Sequence, residues 1–186
     1  MAFIKGSSIG GKKLKMLAST GAQIVSLPYR SNDGIKLKFK MLLGYPSSEG
    51  VIFGDDWSVY GVLFYFTNNR NFGLRVVSWV NDNIPIKAFE IVDVEFDYTT
   101  GILKLNNDTY GEYHAGNNYT INLFGTSTSH RAWVALSDIS IEQNGSEIMH
   151  LEPRINAQTG GGYYHDTIGG QDYYSTTGTD LIYTEI

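Results

Sequence analysis

The chain has 186 residues, 14 of them basic and 19 acidic, with a net charge of −5 and no cysteine. That length suits one domain with a core large enough to fold alone, and the missing cysteine excludes a disulfide framework and any thiolate metal site. A hydrophobic content of 42%, with 13 tyrosines, 9 phenylalanines, 3 tryptophans, 21 glycines and only 4 prolines, favours an aromatic-rich β fold with many tight turns.

Residues 1–31 contain Lys5, Lys12, Lys13, Lys15 and Arg30 but no acid, and so carry +5. The remaining 155 residues hold 9 basic and 19 acidic residues, a balance of −10. The first segment also has Gly6, Gly10, Gly11 and Gly21 among small polar residues, with no sustained helical or strand period. It is expected to be a basic, glycine-rich, extended arm, with residues 32–186 as the folded body. The alternatives for the arm are a disordered leader or a first strand formed by Gln23–Leu27. No apolar run near Met1 is long enough for a signal peptide and none could span a bilayer, which points to synthesis in the cytosol without export and to no membrane partner.

At Ile35 strict alternation begins. Ile35, Leu37, Phe39, Met41 and Leu43 fall on one face and Lys36, Lys38 and Lys40 on the other, as in a strand with one wet face. Further β-rich runs are Val51–Phe53, Tyr60–Phe66, Leu74–Val80, Phe89–Phe96, Ile102–Leu105, Tyr119–Phe124, Trp133–Leu136, Ile139–Ile141 and Ile148–Leu151. In Phe89–Phe96 the apolar phase slips between Ile91 and Val92, predicting a β-bulge there. Turn signals separate most runs, among them Thr100-Gly101, Asn106-Asn107-Asp108 and Asn144-Gly145, residues that tolerate positive φ. About ten short strands without a helix predict an all-β antiparallel sandwich or barrel.

Three segments carry a resemblance to a known family. Asp97-Tyr98-Thr99-Thr100-Gly101-Ile102-Leu103-Lys104-Leu105-Asn106 has a tight turn before a strand that ends in an Asn-containing turn. Trp133–Ile141 followed by Asn144-Gly145 and Ile148–Pro153 forms a hairpin whose second strand ends in proline. Gly162-Tyr163-Tyr164-His165-Asp166, then Gln171-Asp172-Tyr173-Tyr174-Ser175 and Gly178, forms a closing segment of glycine, aromatics and aspartate. Together they resemble the concanavalin A-like, laminin-G-like jelly rolls of bacteriophage virion proteins and gut-bacterial surface proteins. The likeness runs from about Asn32 to Ile186 and implies a jelly-roll β-sandwich. Asp166 is read as a turn-forming carboxylate that accepts backbone N–H bonds.

Catalytic patterns are incomplete. Glycosidases on such a fold place carboxylates on alternate residues of one strand; Glu95-Phe96-Asp97 starts that pattern, but Tyr98, Thr99 and Thr100 follow, so the second glutamate is missing. Asp93, Glu95 and Asp97 are read as a solvated sheet surface. Gly6–Lys12 fits a phosphate-loop frame, yet Lys13 stands where Ser or Thr must hold magnesium. The four histidines lack zinc spacing, so no metal centre and no cofactor are expected; Asp55 and Asp56 are weak calcium candidates. Sequons at Asn107, Asn118 and Asn144 matter only in a secreted eukaryotic chain.

For carbohydrate, exposed rings beside amide or carboxylate groups are needed, and Trp57, Tyr60, Trp79, Asn81 and Asp82 have that chemistry. Three roles are ranked from these features. The first is a non-enzymatic structural virion protein, decorating a capsid or associated with a head fibre or tail. Lys5, Lys12, Lys13 and Lys15 would anchor it to virion proteins, the sandwich would face outward, and it would form a homo-oligomer without a nucleic-acid partner. The second is a lectin-like module for cell-surface glycans. A glycoside hydrolase is a distant third.

Overall fold

The structure is a computed structural model that describes residues 13–43, 50–54, 62–66, 71–76, 84–85, 89–112, 118–127, 130–131 and 134–186. In chain order the strands are β1 (Lys15–Ala18), β2 (Val25–Arg30), β3 (Ile35–Leu43), β4 (Gly50–Gly54), β5 (Val62–Phe66) and β6 (Asn71–Val76). Next come β7 (Ile84–Pro85), β8 (Ile91–Asp97), β9 (Ile102–Leu105), β10 (Asp108–Glu112), β11 (Thr120–Leu123) and β12 (Gly125–Ser127). The last are β13 (His130–Arg131), β14 (Val134–Gln143), β15 (Ser146–Ile155), β16 (Gly162–Asp166), β17 (Asp172–Tyr173) and β18 (Ile182–Glu185). No helix occurs among the described residues.

Two antiparallel sheets form a β-sandwich. The larger runs β10-β9-β8-β3-β14-β15-β16-β17, with β1 joining β14 to β18; the smaller runs β2-β11-β4-β5-β6-β7, and β12 pairs β13 separately. Alternation decides what each sheet buries. In β3, Ile35, Leu37, Phe39 and Met41 are all buried, and in β8 so are Val92, Val94 and Phe96. They meet Val25 and Leu27 of β2, Ile52 of β4, and Ile121 and Leu123 of β11 in a single core between the sheets. Burying each such side chain contributes about 1.5–3 kcal/mol, so the sandwich is held by its apolar interlayer.

The expected arm of residues 1–31 needs correction. From Lys15 onward the chain is part of both sheets, so the division at residue 31 does not separate an arm from a body. Met16 and Leu17 are fully buried. β1 pairs β14 through Leu17↔Leu136 and Ala18↔Ala135, and pairs β18 from Lys15↔Glu185 to Ala18↔Ile182. Leu17 faces the main core, whereas Met16 and Ala18 join Leu42 and Ala135 in a second cluster. The link to β2 is tied down as well: the buried Gln23 accepts from the Ser19 hydroxyl at 3.0 Å and donates to the Asp180 carbonyl at 2.7 Å. Pro28 lies in β2 at an edge of the smaller sheet, the position where strands accommodate proline.

The bulge also lies elsewhere than expected. β3 and β8 pair without a break from Leu42↔Ile91 to Lys36↔Asp97. Phe89 precedes the strand in a left-handed conformation, φ 66°, and is exposed, so it never shared the phase of Val92. Val134–Leu136 and Ile139–Ile141, expected in separate runs, are joined in one strand, β14, whose register against β3 shifts between Ser137 and Ser140. Asp138, at φ 48°, is the residue that turns outward there. The bulge keeps Leu136 and Ile139, three apart, on the buried side.

That bulge also divides the edge of β14. Its first part pairs β1 and its second part, from Ile139, pairs β15. β15 leaves β14 after Leu151 and continues along β16 to Ile155↔Gly162. Pro153, which has no N–H to donate, lies in the part of β15 that has already parted from β14. The β14–β15 connection is the expected tight hairpin: Asn144 and Gly145 adopt φ 52° and 77°, the pair of positive values that a two-residue turn between twisted strands requires.

Candidate functional site

The outer face of the larger sheet collects the polar side chains that alternate with the core. One row crosses five strands in register: His150, Ser140, Lys38, Glu95 and Lys104. Neighbouring positions pair Lys36 with Asp97 and Glu142, and Lys40 with Asp93. The lysines of β3 thus stand directly opposite the acids of β8, and they form ion pairs. Lys40 lies 2.9 Å from Asp93 and 3.7 Å from Asp138, Lys104 lies 3.0 Å from Glu95, Lys36 reaches Glu95 and Asp97, and Lys38 is bonded to Glu142.

A cleft of about 300 Å³ opens on this ladder, lined by Lys38, Lys40, Asp93, Glu95, Lys104, Asn107, Asp138 and Ser140 among others. Its electrostatics disfavour a general-acid role for Glu95. Burial acts to raise the pKa of Glu95, but the Lys104 hydrogen bond and the charges of Lys104, Lys36 and Lys38 together outweigh it and hold the carboxyl below its ordinary range. A general acid needs the opposite shift. Lys40 is held above its ordinary range, chiefly by its hydrogen bond to Asp93. Opposite charges here neutralise one another and leave little net field for a charged ligand.

The same face carries a different chemistry at β15, β16 and β17. Tyr163 and His165 alternate outward from β16 while Gly162, Tyr164 and Asp166 are buried. Register places Arg154 beside Tyr163, Glu152 beside His165, and Asp172 on the far side of His165. The Tyr163 ring stacks on Tyr174, just past β17, with centroids 5.0 Å apart and planes inclined by 19°. Tyr174 is still 49% exposed, so its accessible area lies on the ring edge and on the side turned away from Tyr163.

Polar groups surround the pair. Asp172 Oδ1 is 2.7 Å from His165 Nδ1, its Oδ2 accepts a long bond of 3.5 Å from the Tyr174 hydroxyl, and Arg154 Nη2 donates to Glu152 Oε2 at 2.8 Å. Desolvation, then the charge of Asp172, keeps the Tyr174 hydroxyl protonated above the ordinary phenol range. An exposed aromatic surface framed by hydrogen-bonding groups can hold the apolar face of a pyranose while the frame meets its hydroxyls.

Beneath this surface the closing segment is hydrogen-bonded to its neighbours. Asp166 Oδ1 accepts the backbone N–H of His150 at 3.1 Å and of Ile168 at 3.0 Å, and the Asp166 carbonyl accepts from Gly170. This is the turn-forming role expected from the sequence. It fixes the β16–β17 turn that brings Asp172 and Tyr174 to His165 and Tyr163.

Of the residues singled out from sequence, Trp57, Tyr60, Trp79, Asn81, Asp82, Asp55, Asp56, Lys5 and Lys12 lie outside the described residues. Lys15 opens β1, and Lys13 makes an exposed ion pair with Glu185 at 3.7 Å. Tyr163, His165, Asp172 and Tyr174 are not among the binding residues expected from sequence, although they lie in the closing segment of glycine, aromatics and aspartate. Their signal was available: an outward Tyr-x-His on one strand, and Asp-x-Tyr six residues beyond the end of that strand.

No family model and no curated protein matches the chain. Among solved structures, it is similar to the crystal structure of a "putative carbohydrate binding protein" from Bacteroides ovatus ATCC 8483, with a TM-score of 0.65 at 10% sequence identity. The match covers 94% of this chain and 60% of that one, so this chain spans about three fifths of the neighbour's length. What the two share is the all-β sandwich fold.

Proposed function

We propose that this chain is a non-catalytic carbohydrate-binding sandwich whose ligand rests on the Tyr163–Tyr174 pair at the edge of the larger sheet. The observation that carries the reading is the stacked, half-exposed tyrosine pair set among Asp172, His165, Glu152 and Arg154. The fold neighbour described as carbohydrate binding supports it at the level of architecture. We read the sandwich as a jelly roll of the concanavalin A-like kind; two antiparallel sheets facing across one core support that assignment.

The virion role ranked first from sequence drew on a 31-residue anchoring arm. With residues 15–18 and 25–30 in the sheets, that argument loses much of its segment, and the glycan role becomes the leading one. The lowered pKa of Glu95 argues against a general-acid role for that residue. The test is affinity electrophoresis in gels containing soluble polysaccharides: wild type is retarded by at least one, and Tyr174→Ala migrates as in a gel without it. Equal retardation of wild type and Tyr174→Ala overturns the assignment.

A further inference from the structure

We infer that the Tyr163–Tyr174 locus takes neutral glycans and discriminates against those bearing uronate or sialate groups, an inference that rests on the carbohydrate reading above. The groups framing the ring pair are two carboxylates, Glu152 and Asp172, one guanidinium, Arg154, and the His165 imidazole. With the imidazole uncharged, their formal sum is −1. The chain as a whole has the same sign, with a net charge of −5.

Hydrogen-bond inventory points the same way. Ionised carboxylates only accept, so Asp172 and Glu152 need ligand groups that donate. A neutral pyranose supplies hydroxyls, which donate and accept. A sugar carboxylate only accepts; it would face two acceptor groups of like charge, and the guanidinium that could receive it has its charge offset by Glu152, to which its Nη2 donates at 2.8 Å. The His165–Asp172 pair, at 2.7 Å, uses Nδ1 and leaves Nε2 turned away from the carboxylate. With the proton on Nδ1, Nε2 is one more acceptor for a sugar hydroxyl. The site is therefore rich in acceptors and bounded by an aromatic face, the complement of a polyhydroxylated ring without charge.

The experiment uses the full chain in affinity gels and titrations against laminarin, galactan and mannan on one side and polygalacturonate and alginate on the other, at low and at physiological salt. Binding to at least one neutral polysaccharide is expected, about tenfold or more tighter than to either polyuronate, insensitive to salt, and lost in Tyr174→Ala. In the Asp172→Asn, Glu152→Gln double variant the polyuronates gain affinity relative to the neutral ligand. If a polyuronate binds as tightly as the neutral chains through Tyr174, the charge inference fails while the carbohydrate reading stands. If none of the five binds, both fail together.

Discussion

The buried Tyr164 hydroxyl donates to the Leu136 carbonyl at 3.1 Å, tying β16 to β14 across the gap that opens where β15 leaves β14. Leu136 is also the residue opposite Leu17 of β1, so one bond connects the split sheet to the strand that fills it. Tyr164→Phe removes the donor and leaves a buried carbonyl short of a partner. A loss of about 1–2 kcal/mol is expected, read as a lower urea midpoint with an unchanged slope.

Gly162 lies beside that seam. A Cβ there would stand 2.4 Å from Leu17 Cδ2 and 2.9 Å from the Leu181 carbonyl oxygen. Gly162→Ala is therefore expected to cost about 1–3 kcal/mol. Adding Leu17→Ala relieves the side-chain clash but not the backbone one, so the double variant loses less than the two single losses combined. Additive losses in chemical denaturation would contradict the contact.

Deletion of residues 1–20 is expected to abolish the cooperative fold. It removes Met16, Leu17 and Ala18, all buried, together with the ladder between β14 and β18. Loss of large buried side chains costs about 2–5 kcal/mol each, against a total stability of about 5–15 kcal/mol. Circular dichroism that keeps its β signal and a sharp melting transition after truncation would show that β1 is dispensable.

This strand also shows where legibility ended. The alternation of β3 could be read directly because one of its faces is buried and the other is wet. β1 has only four residues and is buried on both faces, Leu17 against the main core and Met16 and Ala18 against the second cluster, so it has no period to detect. Its flanking lysines and glycines then read as an arm. The bulge at Asp138 was hidden for a related reason: an exposed acid between two apolar runs looks like a turn, and only the pairing with β3 shows that the strand continues. The tyrosine site needs Tyr163 and Tyr174 from either side of a turn whose geometry depends on the buried Asp166. Sequence could name the segment but not the stacking.

Alkaline stability follows from the buried Tyr164 and the partly buried Tyr29 and Tyr173. Burial raises the Tyr164 pKa well above its ordinary value, and burial followed by the charge of Asp166 raises those of Tyr29 and Tyr173. The folded state then holds protons that the unfolded chain releases near pH 10. The contribution is complete below that pH and is lost as pH rises through the folded-state values. Urea midpoints should fall steeply above about pH 10, and less steeply in Tyr164→Phe.

The ion-pair ladder predicts a small effect. Glu95→Gln leaves Lys104 and Lys36 without one partner on a partly solvated face, at a cost of about 1 kcal/mol or less. Because the Glu95 pKa lies below its ordinary range, its contribution is present above the unfolded carboxylate range and disappears as pH falls through the lowered folded value. Glycan binding is expected to be unchanged in this variant.

The most direct measurement is a backbone-amide NMR titration of the isotopically labelled chain with the neutral oligosaccharide it binds. Chemical-shift changes are expected to be concentrated at Glu152, Arg154, Tyr163, His165, Asp172 and Tyr174, absent from the Lys36–Lys40 and Asp93–Asp97 ladder, and abolished by Tyr174→Ala without loss of the folded spectrum. Shifts centred on the ladder, or a saturating titration that persists in Tyr174→Ala, would contradict it.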